Sequence, residues 1–257
     1  MGVLSIAVLA MGYTWLSHRQ HAANPDDRTI PTWSQLAEGV QKTVTPQPIS
    51  GEVWLSRDVQ ATYSRLGLGL LTGAGLGVAI GLGMGCFAPL EALLLPPIAA
   101  IAKIPPTAML AVFFVLVGTQ TEFYVAMIAF GVTPILAQSL YRACRDDVPD
   151  ELLQKAATLG ASTPELVWNV VFKQVMPRLI EAVRLQIGPA MVFLIAAEYA
   201  AADAGFGYRL RIEARKVNFD VVYFYLALLA ASGFLFDALL TQLRRRLCPW
   251  FEDARTA

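Results

Sequence analysis

Five stretches of this 257-residue sequence are apolar over close to the ~20 residues that a helix needs to cross the hydrocarbon core of a bilayer, and a sixth, shorter one opens the chain. With 56% hydrophobic and only 16% charged residues, the chain carries too much apolar surface for a water-soluble domain. The expected class is therefore an all-α integral membrane protein with six transmembrane helices. The formal net charge is zero, so no basic face argues for nucleic acid, and the placement of the positive charges matters more than their sum.

Taken in order, residues 1–16 are apolar but lack both a basic start and a clean small-residue cleavage site before Arg19. They read as a first span, assigned to 1–18, rather than a cleaved signal. Residues 19–60 hold Pro25, Pro31, Pro46 and Pro48 with Trp33 and Trp54, the composition of an external segment with short interfacial helices. In the second span, 66–87, Gly69, Gly73, Gly77, Gly81 and Gly85 recur every fourth residue and make one helix face that a neighbouring backbone can approach closely. No strand precedes this run and no Lys-Ser/Thr pair follows it, which excludes a phosphate-binding loop.

The third span, 89–117, is expected to break at Pro96, Pro97, Pro105 and Pro106, and irregular backbone at membrane depth survives beside protein or water. The fourth span covers 119–141, and Arg142, Arg145, Lys155, Lys173 and Arg178 then mark the cytoplasmic side. The fifth, about 180–202, is expected to be interrupted at Gly188-Pro189, either as a bend lining a path or as a packing kink. An external stretch, 204–220, leads to the sixth span, 221–243, which ends in Arg244, Arg245 and Arg246. The permease core thus spans 61–243, a tail covers 244–257, and both termini are expected in the cytoplasm. Arg209, Arg211, Arg215 and Lys216 fall on the outer side, against the positive-inside rule, and their sequence context offers no reason for it.

Charged groups within apolar runs are candidates for function because burying them in lipid is costly. Lys103 stands beside the proline break and either lines a path or snorkels to the interface. Glu198 lies in an otherwise uncharged run and either borders the path or pairs with an arginine of the 209–216 cluster. Cys86, Cys144 and Cys248 are an odd set and read as free thiols. His18 and His21 alone make too few ligands for a metal site.

The polar segment 147–177 lies between two apolar runs. Pro149 with Asp150 and Glu151 suits a helix start, Gly160 suits a stop, and Ser162 with Glu165 has the spacing of a capping box for a second helix. This is the pattern of a helical hairpin held outside the membrane.

Ala156, Ala157 and Gly160, with Pro177 beyond, resemble the cytoplasmic EAA loop of ABC import permeases, and 159–162 (LGAS) looks most like the branch carrying nitrate, bicarbonate, taurine and aliphatic sulfonates. Lys103-Ile-Pro-Pro106, Ala197-Glu198, Gly205-Phe-Gly-Tyr208 and the arginine-rich end extend the likeness along most of the chain. Three positions depart from the family pattern: Gln154 replaces its Glu, Lys155 its first Ala, and Lys173 a Pro.

The resemblance implies the type I (MetI-like) importer permease fold with a cytoplasmic EAA-type coupling hairpin, in a bacterial inner membrane. It implies a homodimer that forms the path for a small solute, an anion being preferred, with two ATP-binding cassette subunits inside, a soluble substrate-binding protein outside, and lipid around. In that scheme Gln154, Lys155, Ala156, Ala157, Gly160, Ala161, Ser162 and Glu165 couple to the ATPase. Lys103, Pro105, Pro106, Pro189 and Glu198 are candidates for the path. The chain itself is expected to bind no cofactor and to be no enzyme, ATP and Mg²⁺ residing on the partner. It has no Walker A pattern, no G-x-S-x-G and no paired catalytic carboxylates. The competing classes are a secondary transporter, for which inverted repeats are not evident, and a membrane-embedded enzyme or scaffold using Lys103 and Glu198.

Overall fold

The computed structural model describes residues 2–25, 27–48 and 51–251. Among them every regular element is helical: α1 (Gly2–Ala23), α2 (Trp33–Val44), α3 (Trp54–Cys86), α4 (Ala88–Ile101), a 3₁₀ turn (Pro106–Met109) leading into α5 (Leu110–Val117), α6 (Thr121–Asp146), α7 (Asp150–Thr158), α8 (Thr163–Glu165), a π turn (Leu166–Val171), α9 (Phe172–Ala201), α10 (Phe206–Arg215) and α11 (Phe219–Leu247). Among the described residues four helices are long and apolar enough to cross a membrane: α3, α6, the continuous run Thr163–Ala201, and α11. The pair 88–101 and 106–117, bent by 83°, supplies a fifth if taken as one span. Helix α1 is not among them; it runs on past Leu16 through His18, Arg19, Gln20 and His21.

The chain divides into two compact units, residues 1–63 with 198–231 and residues 64–197 with 232–257. In the first, the Tyr13 ring meets Trp33 edge-on at 5.3 Å while its hydroxyl donates to the Pro31 carbonyl at 2.6 Å. Helix α2 starts at a reciprocal cap: the Gln35 N–H donates to Thr32 Oγ1 and the Thr32 N–H to Gln35 Oε1. It lies so close to the start of α11 that a Cβ on Gly39 would stand 2.7 Å from the Asp220 backbone, and Lys42 pairs with Asp220 at 2.7 Å.

In the second unit the glycine stripe meets α6 in a regular parallel register. Gly69, Gly73, Gly77, Gly81 and Gly85 face Ile128, Val132, Leu136, Leu140 and Cys144 in turn, both series advancing four residues at a time. Ile128, Val132 and Leu136 have no solvent exposure and Leu140 only 1%, so this seam is fully dry. A Cβ on Gly81 would lie 2.8 Å from the Ala137 carbonyl oxygen and 2.9 Å from Leu140 Cβ, whereas one on Gly75 would meet nothing within 4 Å. We therefore expect Gly81→Leu to destabilise the protein by about 1–3 kcal/mol through overpacking, and Gly75→Leu to leave thermal unfolding in detergent unchanged.

Three proline expectations are corrected. Pro96 and Pro97 sit inside α4, which stays helical to Ile101: the fixed φ of proline is itself helical, and the helix absorbs the lost donors and the crowding of the ring against the carbonyl four residues back. The break comes at 102–105, just ahead of Pro105-Pro106, and since the same tandem at Pro96-Pro97 is accommodated within a helix, consecutive prolines alone do not set its position. Gly188-Pro189 does not interrupt the fifth span: α9 contains both Pro177 and Pro189. Nor does that span begin afresh near Ile180, since the second arm of the hairpin continues into α9 with only the π turn between. The stretch 204–220, expected on the outer side, contains α10.

Candidate functional site

The hairpin is built from local rules. Helix α7 ends at Gly160 with φ +87°, a left-handed conformation that side chains rarely adopt. The Ala161 N–H bonds back to the Ala156 carbonyl at 3.1 Å and the Gly160 N–H to the Ala157 carbonyl at 3.0 Å, the paired bonds of a Schellman corner. Two residues on, the Glu165 carboxylate accepts the Ser162 N–H at 2.8 Å and its hydroxyl at 2.7 Å, closing the start of α8.

The base of the hairpin is buried and its tip is open. Leu153 packs on a cluster of Leu140, Cys144, Val148, Val171 and Val175, and Arg178 pairs with Asp147 at 2.9 Å across the two arms. Gln154, Lys155, Ala157, Gly160, Ser162 and Glu165 are exposed, while Ala156 and Ala161 are half-buried. Leu159 is 88% and Trp168 58% exposed, so the hairpin offers two large apolar side chains to whatever meets it.

The path candidates are scattered by comparison. Lys103 and Pro105 are exposed in the bend of the second unit, Pro106 is half-buried against Gly131 beside Phe193, and Pro189 is half-buried in α9. Glu198 belongs to the first unit and has no solvent exposure.

Glu198 is one member of a buried polar cluster that caps α10. The first backbone N–H groups of a helix lack partners within it. Here Asp58 accepts the Gly205 N–H at 2.9 Å, Thr62 Oγ1 the Phe206 N–H at 2.8 Å, and Glu198 the Gly207 N–H at 2.9 Å. The Thr62 hydroxyl in turn donates to Glu198 at 3.0 Å. Two carboxylates at the positive end of a helix dipole are well placed, and Asp58 is further held by Arg209 at 2.8 Å and the Tyr225 hydroxyl at 2.7 Å. Gly205, at φ +115°, has the Glu198 carboxylate where its Cβ would be, so no other residue fits.

Three of the four basic residues expected on the outer side thereby acquire structural reasons. Arg209 pairs with Asp58 and stacks over Trp54 at 4.1 Å. Arg211 donates to the carbonyls of Tyr199, Ala200 and Ala202, which terminate α9. Lys216 reaches Glu213 at 2.9 Å. Asp58 and Thr62 escaped the sequence reading because they fell within or beside a stretch taken as external; the signal available was a lone Asp followed four residues later by Thr, immediately before an apolar span.

A family model described as "binding-protein-dependent transport system inner membrane component" matches residues 73–248. The chain is 26% identical to the taurine transport system permease protein TauC of Escherichia coli (strain K12), covering 88% of this chain and 82% of that one. It is 28% identical to the putative aliphatic sulfonates transport permease protein SsuC of the same strain, over 97% and 89% of the two chains. The SsuC protein of Bacillus subtilis (strain 168) matches at 26%, over 82% and 79%. Among solved structures, an inward-facing form of the MetNI methionine ABC transporter superposes with a TM-score of 0.67 at 18% identity, covering 76% of this chain and 96% of that one.

Proposed function

Since the chain belongs to the family of binding-protein-dependent transport system inner membrane components, we propose that its hairpin is the lever by which a separate ATPase drives solute through it. The chain is a permease subunit of an ABC importer for small solutes. In our reading two copies form the path, two ATP-binding cassette subunits dock on the exposed tips of the hairpins, and a soluble binding protein delivers solute at the other face. The names of the relatives favour a sulfonate-bearing solute.

The observation that carries this reading is the contrast within the hairpin: a base packed on a buried apolar cluster and tied by the Asp147–Arg178 pair, with Leu159 at the corner and Trp168 in the following π turn left exposed. A lever needs both a stiff attachment to the spans and a surface for its driver. Binding of ATP that closes the ATPase pair then shifts the spans between inward-open and outward-open states, provided the ATPase binds one state better. Under the positive-inside rule, the arginines and lysines at 142, 145, 155, 173 and 178, with Arg244, Arg245 and Arg246, support a reading in which the hairpin and the C-terminus face the cytoplasm.

The test is reconstitution of the permease with its cognate ATPase and binding protein. ATP-dependent uptake of solute into vesicles is expected, and failure of the permease to co-purify with that ATPase would overturn the reading. Trp168→Ala should weaken the association by about 2 kcal/mol, as for an aromatic anchor at an interface, measured as the dissociation constant of the detergent-solubilised complex.

A further inference from the structure

Cys86 is the last residue of α3 and Cys144 lies in the last turn of α6. The two helices touch there: a Cβ on Gly85 would stand 2.5 Å from Cys144 Cβ and 2.9 Å from its Sγ. Cys86, the next residue, packs on the buried cluster to which Cys144 belongs, and the two thiols are hydrogen-bonded to each other. A disulfide requires cysteines on backbones that approach closely, and the glycine beside Cys86 provides that approach. Cys248, also a free thiol, stands outside this cluster.

The two thiols differ in access. Cys144 is buried, whereas Cys86 is half-buried at the one-residue break between α3 and α4. Glu91, in the first turn of α4, pairs with Arg145 at 3.6 Å, so charged groups flank the cysteines and the pair stands at the polar end of the spans rather than in hydrocarbon. A small oxidant carried in water reaches the first thiol and not the second. One accessible thiol backed by a second in contact is the arrangement of a redox-sensing cysteine with its resolving partner.

We propose that Cys86 and Cys144 form an oxidation site at which hydrogen peroxide closes a disulfide, and that this bond reversibly arrests transport. The Cys86 sulfur attacks one peroxide oxygen, the O–O bond breaks, and Cys86 becomes a sulfenic acid while the other oxygen leaves as water. The Cys144 sulfur then attacks the Cys86 sulfur, the S–S bond forms, and the hydroxyl departs with the Cys144 proton as a second water. The two thiols together lose two electrons and the peroxide gains them. Thiol reductants reopen such a bond by exchange. Its consequence follows from what shares the cluster: Leu153 of α7, Val171 of the π turn and Val175 of α9 pack there, so it roots both arms of the hairpin. A covalent tie from α3 to α6 at that root favours the arrangement seen here over any other state. The arrest of transport rests on the importer reading, whereas formation of the bond does not.

The experiment treats the full permease–ATPase complex in lipid vesicles with hydrogen peroxide, then alkylates free thiols and maps the peptides by mass spectrometry. A Cys86–Cys144 disulfide is expected, with Cys248 still a thiol. ATP-driven uptake should fall by about tenfold, a shift of populations toward one state, and dithiothreitol should restore it. Cys86→Ser should take up solute at the untreated rate and keep that rate in peroxide, with Cys86→Ala as the second variant if the first folds poorly. Peroxide that carries Cys86 to a sulfinic acid without joining it to Cys144 overturns the pairing. A disulfide that forms while uptake continues, or a loss of uptake that persists in both variants, overturns the arrest and leaves the importer standing. A complex that holds no ATPase and takes up no solute before oxidation counts against the importer reading instead, and its peptide map still decides whether the bond forms.

Discussion

Replacing Asp58 by alanine will cost about 3–5 kcal/mol, the penalty for stripping the partner from a buried charge, and will remove most of the protein from the folded fraction. Asp58 has no solvent exposure and accepts three bonds, from the Gly205 N–H, Arg209 Nε and the Tyr225 hydroxyl. Its loss strands a guanidinium that is itself only 7% exposed, and leaves a helix N–H and a phenol without the acceptor they now share. Total stabilities of folded domains run to only about 5–15 kcal/mol, so the loss is a large fraction of the whole. Adding Arg209→Met should recover part of the stability, because a buried apolar side chain is less costly than an unpaired cation. The readout is thermal unfolding of purified protein followed by size exclusion. A single Asp58→Ala variant melting within about 1 kcal/mol of the wild type would show that the cluster does not hold α10 in place.

The second large effect falls on coupling rather than on folding. Gly160→Glu puts an L side chain at φ +87°, which costs about 1–2 kcal/mol in the left-handed region, although nothing within 4 Å obstructs a Cβ there. The penalty is relieved by giving up the corner, which swings Leu159 and the end of α7 away from their present direction. Unit cores far from the tip are untouched, so the protein should insert and melt normally while ATP-driven uptake falls by tenfold or more, the equivalent of about 1.4 kcal/mol at the coupling step. Gly160→Asn is the telling companion, since asparagine tolerates this conformation. If Asn and Glu reduce uptake and ATPase co-purification equally, backbone geometry at the corner is not what transmits the motion.

The hairpin was readable because its signals are local. Gly160, Ser162 and Glu165 act within a few residues of themselves, and the structure shows the turn and cap that those residues encode. The same holds for the glycine stripe: a period of four on a helix fixes which residues share a face. The partner helix, its parallel direction and the pairing of Gly69 with Ile128 through Gly85 with Cys144 have no local signature. Proline was the misleading signal. At Pro96, Pro97, Pro177 and Pro189 the surrounding helix persists, since proline already has a helical φ, and a helix ends ahead of Pro105 and Pro106 although Pro96 and Pro97 form the same tandem.

The sequence by itself determined the membrane class, four long apolar spans, the place of the hairpin and the resemblance that the family match later established, because hydropathy, capping and turn chemistry operate over short distances along the chain. Tertiary structure alone decided what the buried charges do. Asp58, Glu198 and Arg209 are separated by up to 151 residues along the chain, yet they converge on the start of one ten-residue helix. Pairing between distant charges depends on which helices meet and at what height, and only the folded packing sets those two quantities.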